Sequence, residues 1–164
     1  MTLWQRFEQA LLGPIYASAM MLRSVVWRLR RPMLIGVRAV VVRNGEVLLI
    51  RHRAGRTPWA LPGGGVERYE RMAEAAAREA AEESGVQMHN IQFLGLYDRF
   101  GKGVSNYIGV FVGETADEPQ PPRSLEIAEA RFFPPGALPP STDEGSRRRI
   151  DEYVRGERRL YREW

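Results

Sequence analysis

The sequence predicts an α/β domain with an N-terminal helical extension, on three observations. Two runs rich in β-branched residues, Leu34 to Val42 and Glu46 to His52, flank Asn44-Gly45, a strong two-residue hairpin signal. The stretch Tyr69 to Ser84 holds Ala, Glu and Arg without Gly or Pro and reads as a helix that stops at Gly85. Its alanines at 73, 76, 77, 80 and 81 make a stripe without bulk, suited to close packing on a sheet.

Composition sets the bounds. The 164 residues suit one domain with an extension and can bury a sizeable core. Hydrophobic residues make up 44% and charged residues 27%, ordinary for a soluble globular protein. The absence of cysteine excludes disulfides, a thiol nucleophile and a Cys-ligated zinc site. A formal net charge of +4 favours acidic ligands such as nucleotides, RNA or anionic lipid, without selecting among them.

Residues 1 to 31 precede the domain. Leu3, Trp4, Phe7 and Leu11 have helical spacing, Gly13-Pro14 interrupts it, and a second helical run from about Ile15 ends at Pro32. The apolar run Ala10 to Leu22 is too short to span a membrane. Ala17-Ser18-Ala19 mimics a cleavage site, but Glu8 and the Gly-Pro break argue against a secretory signal, so a cytoplasmic location is expected. The arm is apolar around most of its girth. Burial in a homodimer is expected, rather than docking on its own domain or at a lipid interface.

Residues 32 to 164 form the domain proper. After the hairpin, Arg51, His52, Arg53 and Arg56 lead toward a glycine turn, either as a solvated loop or as phosphate contacts. Trp59 reads as a packing residue. Ile91 to Asp98 and Ser105 to Val112 read as two further strands joined by a glycine-bearing turn. Tyr97, Phe100 and Tyr107 near that turn are core aromatics or the lining of a nucleotide pocket. A polar, Pro-rich loop follows from Glu114 to Arg123. Ser141 or Thr142 is expected to cap a C-terminal helix carrying Ile150, Tyr153 and Val154. The basic tail, Gly156 to Trp164, is read as frayed or docked on a partner.

The chemistry concentrates between Trp59 and Val86. Pro62-Gly63-Gly64-Gly65 is a turn in which glycine gives access to positive φ and to close approach by a ligand. On the helix beyond it, Glu79, Glu82 and Glu83 stand at i, i+3 and i+4 and share one face. Three carboxylates in that arrangement form either a wet acidic face or a set of hard oxygen ligands for Mg²⁺ or Mn²⁺ shared with a substrate phosphate.

Gly64, five residues, Glu70, seven residues, and then Arg78-Glu79-Ala80-Ala81-Glu82-Glu83-Ser84-Gly85-Val86 resembles the motif of the Nudix hydrolases. Every fixed charged and glycine position matches. The departure is Ala80, where the family carries a bulkier apolar residue, which concerns packing behind the helix. Trp59-Ala60-Leu61-Pro62 before the motif and the strand from Gly36 to Val42 agree with the same domain.

The resemblance implies an α/β/α sandwich with a mixed sheet and Mg²⁺- or Mn²⁺-dependent hydrolysis of a nucleoside diphosphate linked to another group. Carried over by position, Glu79, Glu82 and Glu83 are the metal ligands, with the Gly64 carbonyl as a further one. Glu70 and Arg78 form a structural ion pair. Leu125 to Phe133 is similar to the family's later segment, where an acidic residue assists metal or water; Glu126 is favoured there over Glu129. The general base stays open between Glu126 and the motif glutamates. Arg51, Arg53, Arg56, Gly63 and Gly64 are the expected substrate contacts. Runs associated with NADH pyrophosphatases and dinucleoside polyphosphate hydrolases are absent, leaving small nucleotides first and RNA 5′ ends second. A non-catalytic nucleotide sensor is the alternative of another class; such modules usually lose motif acids, and none is lost here.

Overall fold

Six strands build one mixed sheet in the order β5-β2-β1-β4-β3-β6, with a helix on each face. In chain order the elements are β1 (Met33–Arg43), β2 (Glu46–His52), α1 (Met72–Ser84), β3 (His89–Gly101), β4 (Val104–Glu114), β5 (Ile127–Phe133), a 3₁₀ turn (Pro135–Ala137), α2 (Glu144–Val154) and β6 (Leu160–Glu163). The computed structural model describes residues 33–53, 58–101, 104–120 and 126–164. The N-terminal arm, its expected homodimer and Arg56 lie outside the described residues. The chain divides into two units. One joins Ile35–Arg99 to Asn106–Trp164 and carries everything discussed below. Of the other, Met1–Leu34 with Phe100–Ser105, the described residues are the first of β1, the last of β3 and the first of β4.

The predicted hairpin forms. Asn44 and Gly45 both take positive φ, at 51° and 81°, as a tight primed turn demands. Strand periodicity then sorts side chains between two cores. Val37, Ala39, Val41, Leu48 and Ile50 face α1, where Ala75, Ala76 and Ala80 pack against them. Val40, Val42, Val47 and Leu49 point the other way, onto Trp59, Leu94, Tyr97 and Ile150 of α2. With both faces covered, β1 and β2 read as nearly continuous apolar runs. Trp59 is a packing residue, edge-on to Phe133 with ring centroids 5.0 Å apart. Tyr97 is a core aromatic, not a pocket wall.

Four sequence expectations are corrected. Helix α1 begins at Met72 rather than Tyr69, because Tyr69 sits at φ +67° in a turn and Glu74 accepts from the backbone N–H of Arg71 at the true start. Its buried stripe runs through Ala75, while Ala81 lies on the half-buried flank. Asp143 caps α2, accepting from the Ser146 N–H at 3.1 Å, while the Thr142 hydroxyl turns to the Pro139 carbonyl at 2.8 Å. The tail is not frayed: β6 pairs in parallel with β3 in the register Gly95 to Leu160 and Asp98 to Glu163.

An ionic cluster explains the tail. Arg149 and Glu152, one helical turn apart on α2, are almost fully buried and ion-paired at 2.8 Å. Tyr97 donates to Glu152 at 2.8 Å, and Arg162 of β6 donates to the other carboxylate oxygen at 3.0 Å. The Arg149 guanidinium stacks 3.9 Å from the Tyr97 ring centroid, and Trp164 packs edge-on to the same ring. Burial and the neighbouring Glu152 raise the Tyr97 pKa, and burial lowers that of Arg149. Glu152→Ala strands Arg149 in the core without its acid. Denaturant unfolding of that variant should show a loss of about 3–5 kcal/mol, and a loss under about 1 kcal/mol would place the pair in solvent-like surroundings.

Candidate functional site

The glycine turn is sewn to β1 by backbone hydrogen bonds. Ala39 N–H donates to the Pro62 carbonyl and Val37 N–H to that of Gly64, each at 2.9 Å, and Val66 N–H donates to Ile35 at 3.2 Å. Just before the turn, Ala60 exchanges both backbone bonds with Ile50 of β2. Of the three glycines, only Gly63 adopts positive φ, at 151°, and a Cβ there would strike the Val37 carbonyl. At Gly64 a Cβ would meet the Glu79 carboxylate, which would have to shift aside. The turn therefore demands glycine at Gly63, keeps the Glu79 carboxylate close at Gly64, and leaves open space at Gly65.

Helix α1 delivers its acids to this turn unequally. Glu83 is buried, and one carboxylate oxygen accepts the Gly63 N–H at 2.8 Å. Its pKa is pushed up to about 7, chiefly by burial; the Gly63 N–H and the Arg38 charge pull it down, and the charges of Glu79 and Glu126 push it further up. Glu79 lies against Gly64 with its side chain mostly covered, whereas Glu82 is 59% exposed. The shared face predicted from spacing is thus graded from interior to rim.

Arg78 ties the site together. Its fork grips both oxygens of Glu70, at 2.7 and 3.0 Å. The same guanidinium donates to Glu79 at 2.9 Å, to Glu82 at 3.2 Å and to the Gly65 carbonyl at 3.0 Å. Hydrogen bonding to Arg78, ahead of the Glu67 N–H, holds the Glu70 carboxyl below its ordinary value; the reciprocal bonds raise Arg78. Among the described residues no three His, Asp or Glu side chains already converge as a metal cage, because Arg78 takes Glu79 and Glu82 for itself.

The remaining expected residues divide. Glu126 precedes β5, and its carbonyl accepts the Arg53 N–H at 2.7 Å, which brings the end of β2 beside the acids. The alternative acid, Glu129, is paired with Arg51 and Arg131. Arg51 is therefore held by an acid of the neighbouring strand, while the Arg53 guanidinium makes a long bond of 3.3 Å to the Ile127 carbonyl. His52, left undecided by the sequence, places Nε2 4.0 Å from a Glu83 oxygen. The Gly64 carbonyl already accepts from Val37 and has one lone pair left.

Sequence reasoning missed Arg38. It lies on β1 and donates to the carbonyls of Leu61 at 3.2 Å and Gly63 at 2.8 Å, buttressing the turn from behind. The signal was available: an arginine inside the apolar run Leu34 to Val42 needs buried partners. Arg38→Met should remove both bonds, lower stability by about 1.5–3 kcal/mol and loosen the Gly63–Glu83 contact. Hydrogen exchange at the Gly63 amide reads the second effect, and unchanged protection there would show that the turn stands without the arginine.

A mixed sheet sandwiched by helices, with carboxylates gathered on a glycine turn, defines an α/β/α domain. The family model for the NUDIX domain matches residues 33–153, and the chain belongs to that family. A relative in Mycobacterium tuberculosis, "Putative mutator protein MutT4", is 35% identical over 109 residues, covering 61% of this chain and 42% of its own. Another in Bacillus subtilis, "Putative ADP-ribose pyrophosphatase YjhB", is 31% identical over 108 residues, covering 63% of this chain and 51% of its own. The chain thus spans about half the length of these curated relatives or less. The crystal structure of a MutT NUDIX hydrolase from Burkholderia pseudomallei superposes with a TM-score of 0.65 at 26% identity, covering 73% of this chain and 97% of that one.

Proposed function

We propose that this domain hydrolyses a diphosphate linkage in a nucleoside diphosphate joined to another group, with a divalent cation as cofactor. The observation that carries the reading is the crowding at Glu83: a buried carboxylate bonded to the Gly63 N–H of the glycine turn, with Glu79 and Glu126 near enough for their charges to act on it. Such a surplus of hard oxygen donors fits Mg²⁺ or Mn²⁺. Glu79, Glu82 and Glu83 are the residues that would hold the ion, with the free lone pair of the Gly64 carbonyl beside them. When bound, the ion supplies charge neutralisation at the diphosphate and a lowered pKa for water.

The chain's own groups do the rest. The Gly63–Gly64 backbone, rigid on β1, offers a surface that the diphosphate can approach closely. Arg53 is better placed than Arg51 to face a phosphate, since Arg51 is held by Glu129. Glu126 is close enough for its charge to act on Glu83 and is the group proposed to take the proton from the attacking water. Water forms a new O–P bond, the bridging P–O bond breaks, and two phosphorylated products leave. The printed name of the Bacillus subtilis relative, which specifies ADP-ribose, supports the substrate class without choosing its second moiety.

Turnover by the purified protein tests the proposal, with Mg²⁺ and a panel holding an ADP-sugar, a nucleoside triphosphate and a 5′-triphosphorylated RNA. Release of a nucleoside monophosphate from the small nucleotides is expected, and cleavage of the RNA alone would move the assignment to nucleic-acid ends. Glu82→Gln keeps size and fold at an exposed position and should slow turnover by about 100-fold or more. Wild-type turnover in that variant would remove Glu82 from the metal-holding set. Among the described residues no helix is long and apolar enough to cross a membrane.

A further inference from the structure

Tyr69 occupies a position that its side chain disfavours. Its φ of +67° lies in the left-handed region, where Cβ crowds the following carbonyl. Asn44 and Asn90 share that conformation, but a short amide tolerates it and a bulky aromatic does not. The Tyr69 side chain is 97% exposed, so no packing offsets the strain.

The conformation is imposed from both sides. The Glu67 N–H donates to the Glu70 carboxylate at 2.8 Å, and the Glu70 N–H donates to the Glu67 carbonyl at 3.3 Å. Arg78 then clamps Glu70 and the Gly65 carbonyl, so both ends of the 65–70 loop hang on one guanidinium. That guanidinium also touches Glu79 and Glu82. The loop displaying Tyr69 is therefore tied to the guanidinium that holds Glu79 and Glu82, and the ring stands in water. Backbone strain held in place by surrounding bonds clusters at binding and reaction sites, which points to a role in binding rather than in folding.

We infer that Tyr69 contacts substrate, its ring stacking on the aromatic base of the nucleotide. The inference rests on the reading of the site as one that acts on nucleoside diphosphate derivatives. The pinned loop presents the ring with its backbone already fixed, so little backbone freedom is lost on stacking. Because every base has a π-face, the contact raises affinity across nucleotides without selecting one base. It leaves the chemical step to the acids, so its effect belongs in KM rather than kcat.

Steady-state kinetics with Mg²⁺ and ADP-ribose, compared for wild type, Tyr69→Phe, Tyr69→Asn and Tyr69→Gly, tests this. Asn and Gly both accept positive φ and lack the ring, while Phe keeps the ring and the strain. KM should rise about tenfold in the Asn and Gly variants, stay near wild type in Phe, and leave kcat nearly unchanged in all three. The melting temperature of Tyr69→Gly should not fall, because relief of strain offsets the extra freedom of the unfolded chain. Unchanged KM in Asn and Gly, or an equal rise in Phe, overturns the Tyr69 assignment while the parent reading stands on wild-type turnover. A wild-type protein inert toward every nucleoside diphosphate derivative overturns the parent reading and Tyr69's role with it.

Discussion

The hydrogen bond from the Gly63 amide to the buried Glu83 carboxylate is the constraint around which this domain is arranged. It joins residues 20 apart in sequence, one on a turn sewn to β1 and one on the inner flank of α1. A carboxylate at that depth is costly unless its oxygens are satisfied. The amide satisfies one, Arg38 adds positive charge from β1, and the other oxygen faces the His52 imidazole. Register between helix and sheet follows, because sliding α1 by one residue would leave both the amide and the acid unpaired. The small faces of Ala75, Ala76 and Ala80 let the helix approach closely enough for that bond to form.

Around this bond the charges divide into two populations. Glu70 is held by the Arg78 fork and the Glu67 N–H. Glu79 and Glu82 share Arg78 with it, at longer or less complete contacts, and Glu83 has no arginine of its own. A cation arriving at the turn would therefore compete with one guanidinium, while Glu70 kept that guanidinium in place. Such a division lets the site take up or release positive charge without dismantling the loop. The second buried ionic cluster, Arg149 with Glu152, Tyr97 and Arg162, lies on the opposite face of the sheet and is closed by its own partners. It seats the tail, with Arg149 and Arg162 both paired to Glu152.

Local signals made much of the fold legible. The hairpin, the helix stop at Gly85 and the apolar strands each follow from residues close together in sequence, and each is found. Helix α1 was placed three residues early because Tyr69 favours no break by composition; its left-handed backbone arises from bonds made by Glu67, Glu70 and the distant Arg78. The tail was misread for a similar reason. Nothing in Leu160 to Glu163 specifies a parallel partner, and the pairing with β3 depends on a buried acid contributed by α2. At the site, spacing placed the three glutamates on one helix but could not rank them by depth, since depth depends on how the turn folds back onto β1. Arg38 went unnoticed because its partners are carbonyls, which carry no mark in a sequence. Arg51 was expected at a phosphate and is found on Glu129, a strand-to-strand register effect that only the pairing of β2 with β5 reveals.

The central claim is that these acids form a hard-cation site on the glycine turn. Electron paramagnetic resonance of Mn²⁺ titrated into the full-length protein, without substrate, addresses it directly. Saturable loss of the free-ion signal is predicted, reversed by excess Mg²⁺ and weakened when Glu83 is replaced by Gln. A free-ion spectrum that stays undiminished at millimolar protein would contradict the account.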